Sequence, residues 1–336
     1  IIVAVCVFLH VVILSLSFFD NNHQEKYCRS IIPDREYQTD EDNRRFVFSA
    51  QEIKDGENCL RFYTAHMEVS VYADDTLIYH VGQQAMPKVS PGVMWNYVGI
   101  PSGAEQIQVM IRAVYPEVRQ KQIDFSIGGY TQMYNGMLYR SMPVTFIFLL
   151  EILLGFFMVL WWLIARTRMK IKQTLLHFGT FAFLTGTWAL NETDAALLIL
   201  FPVRVESVFV SAVALILMVP SFVWFTKGFF DVEDKRGSDI ICMLAYLNLA
   251  VQLILQLTGI RGFRQMYTVT HVLLGIALLY TIVMLISEYR KTKVHRHLQF
   301  VVVGGFILLG TLAADLLHFY YGSFQTSIYS MYGVFI

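Results

Sequence analysis

Two hydrophobic rhythms divide the chain. Between residues 59 and 127 apolar positions recur every second residue, and from residue 143 onward they run in long uninterrupted blocks. In the first region Leu60, Phe62 and Thr64 alternate with Arg61, Tyr63 and Ala65, and Met67, Val69 and Val71 alternate with Glu68 and Ser70. Asp74 and Asp75 interrupt the run as a turn, and residues 77–80 resume it. Ile107, Val109, Ile111 and Ala113 then alternate with Gln106, Gln108, Met110 and Arg112, and Ile123, Phe125 and Ile127 with Asp124 and Ser126. A period of two, with Gly and Pro between the runs, predicts short antiparallel strands. A domain over 20–142 made of such strands is most simply an all-β sandwich or jelly roll. Its first part, 20–58, is polar and predicts irregular structure with one or two short strands, 46–48 among them.

The blocks predict a multi-pass α-helical membrane bundle, because a span needs about 20 apolar residues. They fall at 143–165, 175–190, 205–225, 240–258, 266–287 and 298–320, with a further one opening near 327 and cut off at Ile336. This gives about seven transmembrane helices over 143–336, the second of them short. Residues 1–19 form another apolar stretch, read as a signal peptide or an N-terminal membrane anchor; either one exports the polar segment behind it. The chain opens at Ile1 and stops inside an apolar run, so it reads as a fragment cut before any cytoplasmic C-terminal domain.

Composition sharpens this division. Only 15% of residues are charged and 55% are hydrophobic, and the charge deficit is confined to the blocks. The net charge is zero and no basic stripe appears, so nucleic acid is not an expected partner; the lipid bilayer is. Positive charge alternates between loops. Arg166, Arg168, Lys170, Lys172, Lys227, Lys235, Arg236, Arg290, Lys291, Lys293 and Arg296 fall in one set, against Arg204, Arg261 and Arg264 in the other. Positive residues stay cytoplasmic. This puts 20–142 outside the cytoplasm and the C-terminus inside. Cys6 and Cys242 lie in apolar runs and read as small hydrophobes. Cys28 and Cys59 lie in the exported segment, where a disulfide between them is a candidate.

The segment from Leu60 through Asp74, LRFYTAHMEVSVYAD, resembles a strand pair in the outer jelly-roll domains of bacterial seven-transmembrane receptors with diverse intracellular signalling modules. GTWALNET, from Gly186, and DLLHFY, from Asp315, are similar to segments of the same family's helical half. The resemblance implies an extracytoplasmic sensor over a seven-helix bundle. It also implies a cytoplasmic output module, such as a diguanylate cyclase or a histidine kinase, that this chain does not contain. It further implies a small extracellular ligand, with carbohydrate the first candidate, and homodimerisation through the output module.

Sugar recognition needs an aromatic face and planar polar groups. In the outer domain His66, Tyr72, Asp74, Trp95, Tyr97 and Arg112 have that chemistry, against the alternative that they are ordinary sheet and core residues. In the blocks each ionisable or amide side chain is a functional candidate. Glu192, Asp194, Gln256, His271, Asp315 and His318 project toward the outer half and form a candidate pocket or coupling network, against plain interhelical hydrogen bonding. Asn248 and Gln252 read as structural, and Glu151 lies mid-way along the first block. No catalytic constellation, cofactor motif or metal-ligand spacing is found. The expected function is a transmembrane signal receptor; the alternative is a transporter, a channel or an accessory membrane subunit.

Overall fold

A computed structural model of the chain describes residues 28–49, 53–54, 56–82, 91–166, 173–194, 204–230, 232, 236–292 and 310. Within these, the described parts of Val7–Val144 and Thr193–Val208 form one compact unit, and those of Thr145–Glu192 and Phe209–Ile336 form another.

The first unit is built on nine strands: β1 (Arg29–Ile31), β2 (Arg35–Gln38), β3 (Asn43–Ser49), β4 (Cys59–Ala65), β5 (Met67–Ala73), β6 (Thr76–Val81), β7 (Val93–Gly99), β8 (Gln106–Ala113) and β9 (Phe125–Gly128). They make two antiparallel sheets, sheet A in the order β1-β9-β4-β7 and sheet B in the order β2-β3-β8-β5-β6. The period-two pattern sets which faces meet. Phe125 of sheet A lies 5.0 Å from the rings of both Phe46 and Phe48 of sheet B and 5.1 Å from Phe62 beside it. Asn96 is a fully buried polar residue in this core, and it is satisfied on each side. It accepts from the Tyr79 hydroxyl of sheet B at 3.0 Å and donates to Phe62 O and Thr64 Oγ1 at 3.2 and 2.9 Å. A buried amide this well paired fixes register rather than weakening the core.

Two tight corners reverse the chain. His66 sits between β4 and β5 at φ 57°, and Asp74 between β5 and β6 at φ 53°. Both are in the left-handed region, where Asp is among the few residues enriched and His is tolerated. Residues 28–49, in a segment expected to hold one or two short strands, hold three, and β7 is a further strand that the alternation did not expose. Its outward residues Trp95 and Tyr97 are as bulky as its inward Met94 and Val98, so its two faces read alike.

Among the described residues five α-helices follow: α1 (Tyr130–Ala165), α2 (Thr174–Asn191), α3 (Arg204–Phe229), α4 (Gly237–Leu257) and α5 (Phe263–Thr292). Among the described residues four stretches are long and apolar enough to cross a membrane, namely Tyr130–Ala165, Ser207–Phe229, Gly237–Leu257 and Phe263–Ser287. The described helices therefore support four spans and not seven. α2 occupies the predicted second block, but its Thr, Gly, His and Asn content leaves it too polar to count. The blocks at 298–320 and from 327, and the stretch 1–19, lie outside the described residues. α1 starts well before the predicted span at 143, since 36 residues at about 1.5 Å each exceed the roughly 30 Å of a hydrocarbon core.

In the second unit α1 and α2 meet backbone to backbone. A Cβ on Gly155 would sit 2.6 Å from Gly179 O and against the Phe183 amide; one on Gly186 would sit 3.0 Å from Ile152. Small residues at such contacts are how membrane helices approach closely. Phe178 and Phe181 of α2 pack at a tilt against Phe225 and Phe222 of α3, and Val219, Val223, Ile241, Cys242, Ala245, Leu273 and Ala277 join α3, α4 and α5.

Candidate functional site

β4 is buried along both faces: Leu60, Phe62 and Thr64 face the core, while Cys59, Arg61 and Ala65 are buried on the other side. The register explains what gathers there. Arg61 stands opposite Tyr97 and Ser126, and Tyr63 opposite Trp95, so an arginine and three aromatic rings share the outward face of sheet A. The first turns of α1 cover this face. The Tyr130 amide donates to Asn58 Oδ1 at 3.0 Å, which starts the helix beside β4. Tyr130 and Tyr134 stack at 6.1 Å and meet the Tyr97 ring edge-on at 6.0 and 5.8 Å, and the Tyr97 hydroxyl points at Met137 Sδ, 3.5 Å away.

Charge is arranged around these rings. The Arg61 guanidinium lies 5.1 Å from the Trp95 ring centroid, a cation–π distance. Its Nη2 donates to Cys28 Sγ at 3.3 Å. Trp95 Nε1 donates to Asp194 Oδ1 at 2.7 Å, and the other carboxylate oxygen faces Arg140 Nη2 at 3.6 Å. Burial pushes the Tyr97 phenol up to about 12, against the pull of the Arg61 charge, so it stays a protonated donor. The arrangement offers a cation, hydrogen-bond donors and flat apolar walls. That suits recognition, and among the described residues no activated nucleophile or acid–base pair accompanies it.

The six outer-domain candidates separate into three places. Trp95 and Tyr97 belong to the site just described. Tyr72 and Arg112 lie on the outward face of sheet B, where Tyr72 stands opposite Gln108 and exposed Arg112 reaches Glu68 at 3.4 Å. His66 and Asp74 are corner residues. His66 is buried beside Tyr115 at 5.4 Å, and Asp74 Oδ1 accepts from the Glu105 and Gln106 amides at 3.0 and 2.9 Å, fastening the start of β8.

The second group also disperses. Asp194 joins Trp95. Glu192 accepts from Ser211 Oγ at 2.7 Å, and Ser211 in turn accepts from Asn191 at 2.9 Å. Gln256 Oε1 accepts the Phe263 amide at 2.7 Å and so caps the start of α5. His271 packs 5.9 Å from Tyr267 on its own helix. Asp315 and His318 lie outside the described residues. Gln252 donates to Thr270 and Asn248 at 2.7 and 2.9 Å, a bond between α4 and α5.

The candidate disulfide is not formed: Cys28 and Cys59 are not joined. Cys28 is held by Arg61, while Cys59 is enclosed between β7 and β9, where burial pushes its thiol up to about 11 and keeps it unreactive.

Sequence reasoning missed Arg61, Tyr130, Tyr134 and Arg140, and it singled out Cys28 only as a disulfide candidate. A usable signal existed: Arg-x-Tyr in one strand and Trp-x-Tyr in another place large side chains on the same face of each strand. No protein-family model matches the chain, and no curated protein matches it.

Proposed function

We propose that the chain is the sensing and membrane portion of a signal receptor. In this reading the sandwich lies outside the cytoplasm and binds a small ligand, with carbohydrate one candidate. The helices form part of a seven-helix bundle, and a cytoplasmic output module acts as a homodimer. The strand order supports the outer-domain assignment. Setting β2 and β6 aside, each a hairpin partner within sheet B, successive strands alternate between the sheets in the manner of a jelly roll. The observation that carries the reading is the covering of the sheet A site by α1. The helix turns that hold Tyr97 continue without a break into an apolar stretch long enough to cross a membrane. A ligand that bound two states of this site unequally would bias the helix between two positions. One observation favours transport instead: Glu151, within the apolar part of α1, has a buried carboxylate oxygen with no hydrogen-bond partner, as a proton or ion site would.

Two measurements test the receptor. A cysteine at Ala104 should react with an impermeant thiol reagent on intact cells, and one at Lys170 only after lysis; the reverse pattern removes the reading. With a reporter output module fused behind the last apolar block, Asp194→Asn should change output per membrane-inserted molecule, and Arg112→Ala should leave it as it was. Equal output from the wild type and Asp194→Asn would overturn the coupling.

A further inference from the structure

Arg61 is buried under the first turns of α1 without a partner for its charge. Its residue surface is only 7% exposed, so the guanidinium is almost wholly removed from water. A buried charge is costly unless it is paired and hydrogen-bonded. Yet among the described residues no carboxylate pairs with Arg61, and its Nε has no acceptor. The groups it does meet are the Cys28 sulfur, the face of Trp95 and the Tyr97 phenol, none of them a carboxylate. The carboxylate bonded to Trp95, Asp194, is already matched by Arg140. Among the described residues the outward face of sheet A therefore carries a guanidinium that no carboxylate pairs, with an unused N–H on it and aromatic walls around it.

We propose that Arg61 binds the carboxylate of a small monoanionic organic acid, whose apolar or aromatic body rests against Trp95 and Tyr97. The Nε–Nη2 edge of a guanidinium presents two parallel N–H groups that match the two oxygens of a carboxylate. Nε is unoccupied and Nη2 is held by the Cys28 thiol, a weak acceptor that an anion displaces. One unpaired guanidinium is matched by the single charge of a carboxylate, whereas a phosphate dianion brings a second negative charge that no described group meets. The inference takes the sheet A face to be the ligand site of the receptor reading, but it concerns binding alone and stands or falls without any signal output.

The test is calorimetric titration of the full chain in lipid nanodiscs with benzoate, acetate, inorganic phosphate and benzamide. Benzoate should bind saturably and more tightly than acetate, and neither phosphate nor the neutral isostere benzamide should compete. Arg61→Gln should lose at least about thirtyfold in benzoate affinity. Arg61→Lys keeps the charge without the planar fork and should lose about tenfold. If neither carboxylate binds the wild type, or benzamide binds as well as benzoate, the proposal is overturned. The same holds if Arg61→Lys and Arg61→Gln, both folded by their circular dichroism, bind benzoate unchanged. Alkylation rates supply the remaining arm. A Cys28 that is thiolate at neutral pH in the wild type and thiol in Arg61→Gln would itself be the missing anion, and the proposal would fail.

Discussion

The two units solve opposite problems with one chain. In the sandwich, apolar side chains turn inward along alternating strands, and the outward face of sheet B carries Glu68, Ser70, Gln108 and Arg112. In the helical unit the arrangement is reversed. Large apolar residues such as Leu247, Ile254 and Val283 are more than half exposed, while Gln252, Thr281 and Thr185 are nearly completely buried. The buried hydroxyls are satisfied within their own helices, Thr281 on Ala277 O at 2.8 Å and Thr185 on Phe181 O at 2.7 Å. The contrast identifies the solvent of each unit. Water lets polar groups face outward and drives apolar ones together; lipid supplies no such drive between helices, so packing rests on small residues and shared hydrogen bonds.

The sharpest way to break that contrast is to remove one large side chain from the sandwich. Phe125 touches three other rings, so Phe125→Ala should destabilise the unit by about 3–5 kcal/mol through lost burial and a residual cavity. Amide exchange should accelerate throughout β3, β4 and β9 and remain unchanged in α4 and α5. Acceleration in both units alike would show that they are one cooperative body. The converse experiment adds a single methyl to the helical unit. Gly155→Ala forces its Cβ against Gly179 O and the Phe183 amide, both backbone atoms that cannot rotate away, and should cost about 1–3 kcal/mol. Its signature is faster exchange in α1 and α2 with β4 and β9 unaffected.

These two sites also show what the sequence could convey. The period-two pattern gave the strand faces of β4, β5 and β8 directly, because each has one inward face of Val, Ile, Leu or Phe. It concealed β7, whose two faces are equally bulky, and with it the partner strand that brings Trp95 and Tyr97 opposite Tyr63 and Arg61. Trp95 and Tyr97 were recognisable as recognition chemistry from residue type alone. Their association with Asp194 was not, because 99 positions separate Trp95 from Asp194 and no local pattern encodes such a pairing. Asp194 was instead grouped with Glu192 by proximity in sequence, although the two carboxylates have different partners. Apolar blocks located α1 to α5, but hydropathy, which marks a span, did not show that the helix of α1 begins ahead of its apolar block, with Tyr130, Tyr134 and Arg140 in its first turns.

A smaller effect sharpens the contrast in how polar groups are used. Gln252→Leu removes the amide that links α4 to Thr270 of α5 and should cost about 0.6–2 kcal/mol, the usual range for a hydrogen bond between membrane helices. The variant should still insert, and its thermal unfolding in detergent should shift only slightly. A loss comparable with that of Phe125→Ala would mean that the buried amide organises the helical unit, as Asn96 does the sandwich.

The smallest expected effect concerns an ion pair at the sandwich edge, and it has a definite sign with pH. Glu57 receives both Nε and Nη2 of Arg29 at 2.9 Å, and the Lys54 amide donates to the same carboxylate at 2.9 Å. Burial acts to raise the Glu57 carboxyl, but the Arg29 fork and the Lys54 amide outweigh it, so the group lies below its ordinary value of 4.5. A carboxylate with a depressed folded-state pKa contributes stability that is fully present above its unfolded value. That contribution is lost as the pH falls through the folded one. Because Arg29 is one-third exposed, the contribution is that of a partly screened pair, about 0.2–1 kcal/mol. Exchange protection of β1 and β9 should therefore fall between about pH 5 and pH 3 more steeply in the wild type than in Glu57→Gln. Above pH 5 the wild type should be the more protected by a constant margin, and added salt should narrow that margin. No counterpart is expected in α4 and α5, where Gln252 and Thr270 are neutral across the range. Equal pH slopes in the wild type and Glu57→Gln would show that the Arg29 fork holds the edge by shape alone.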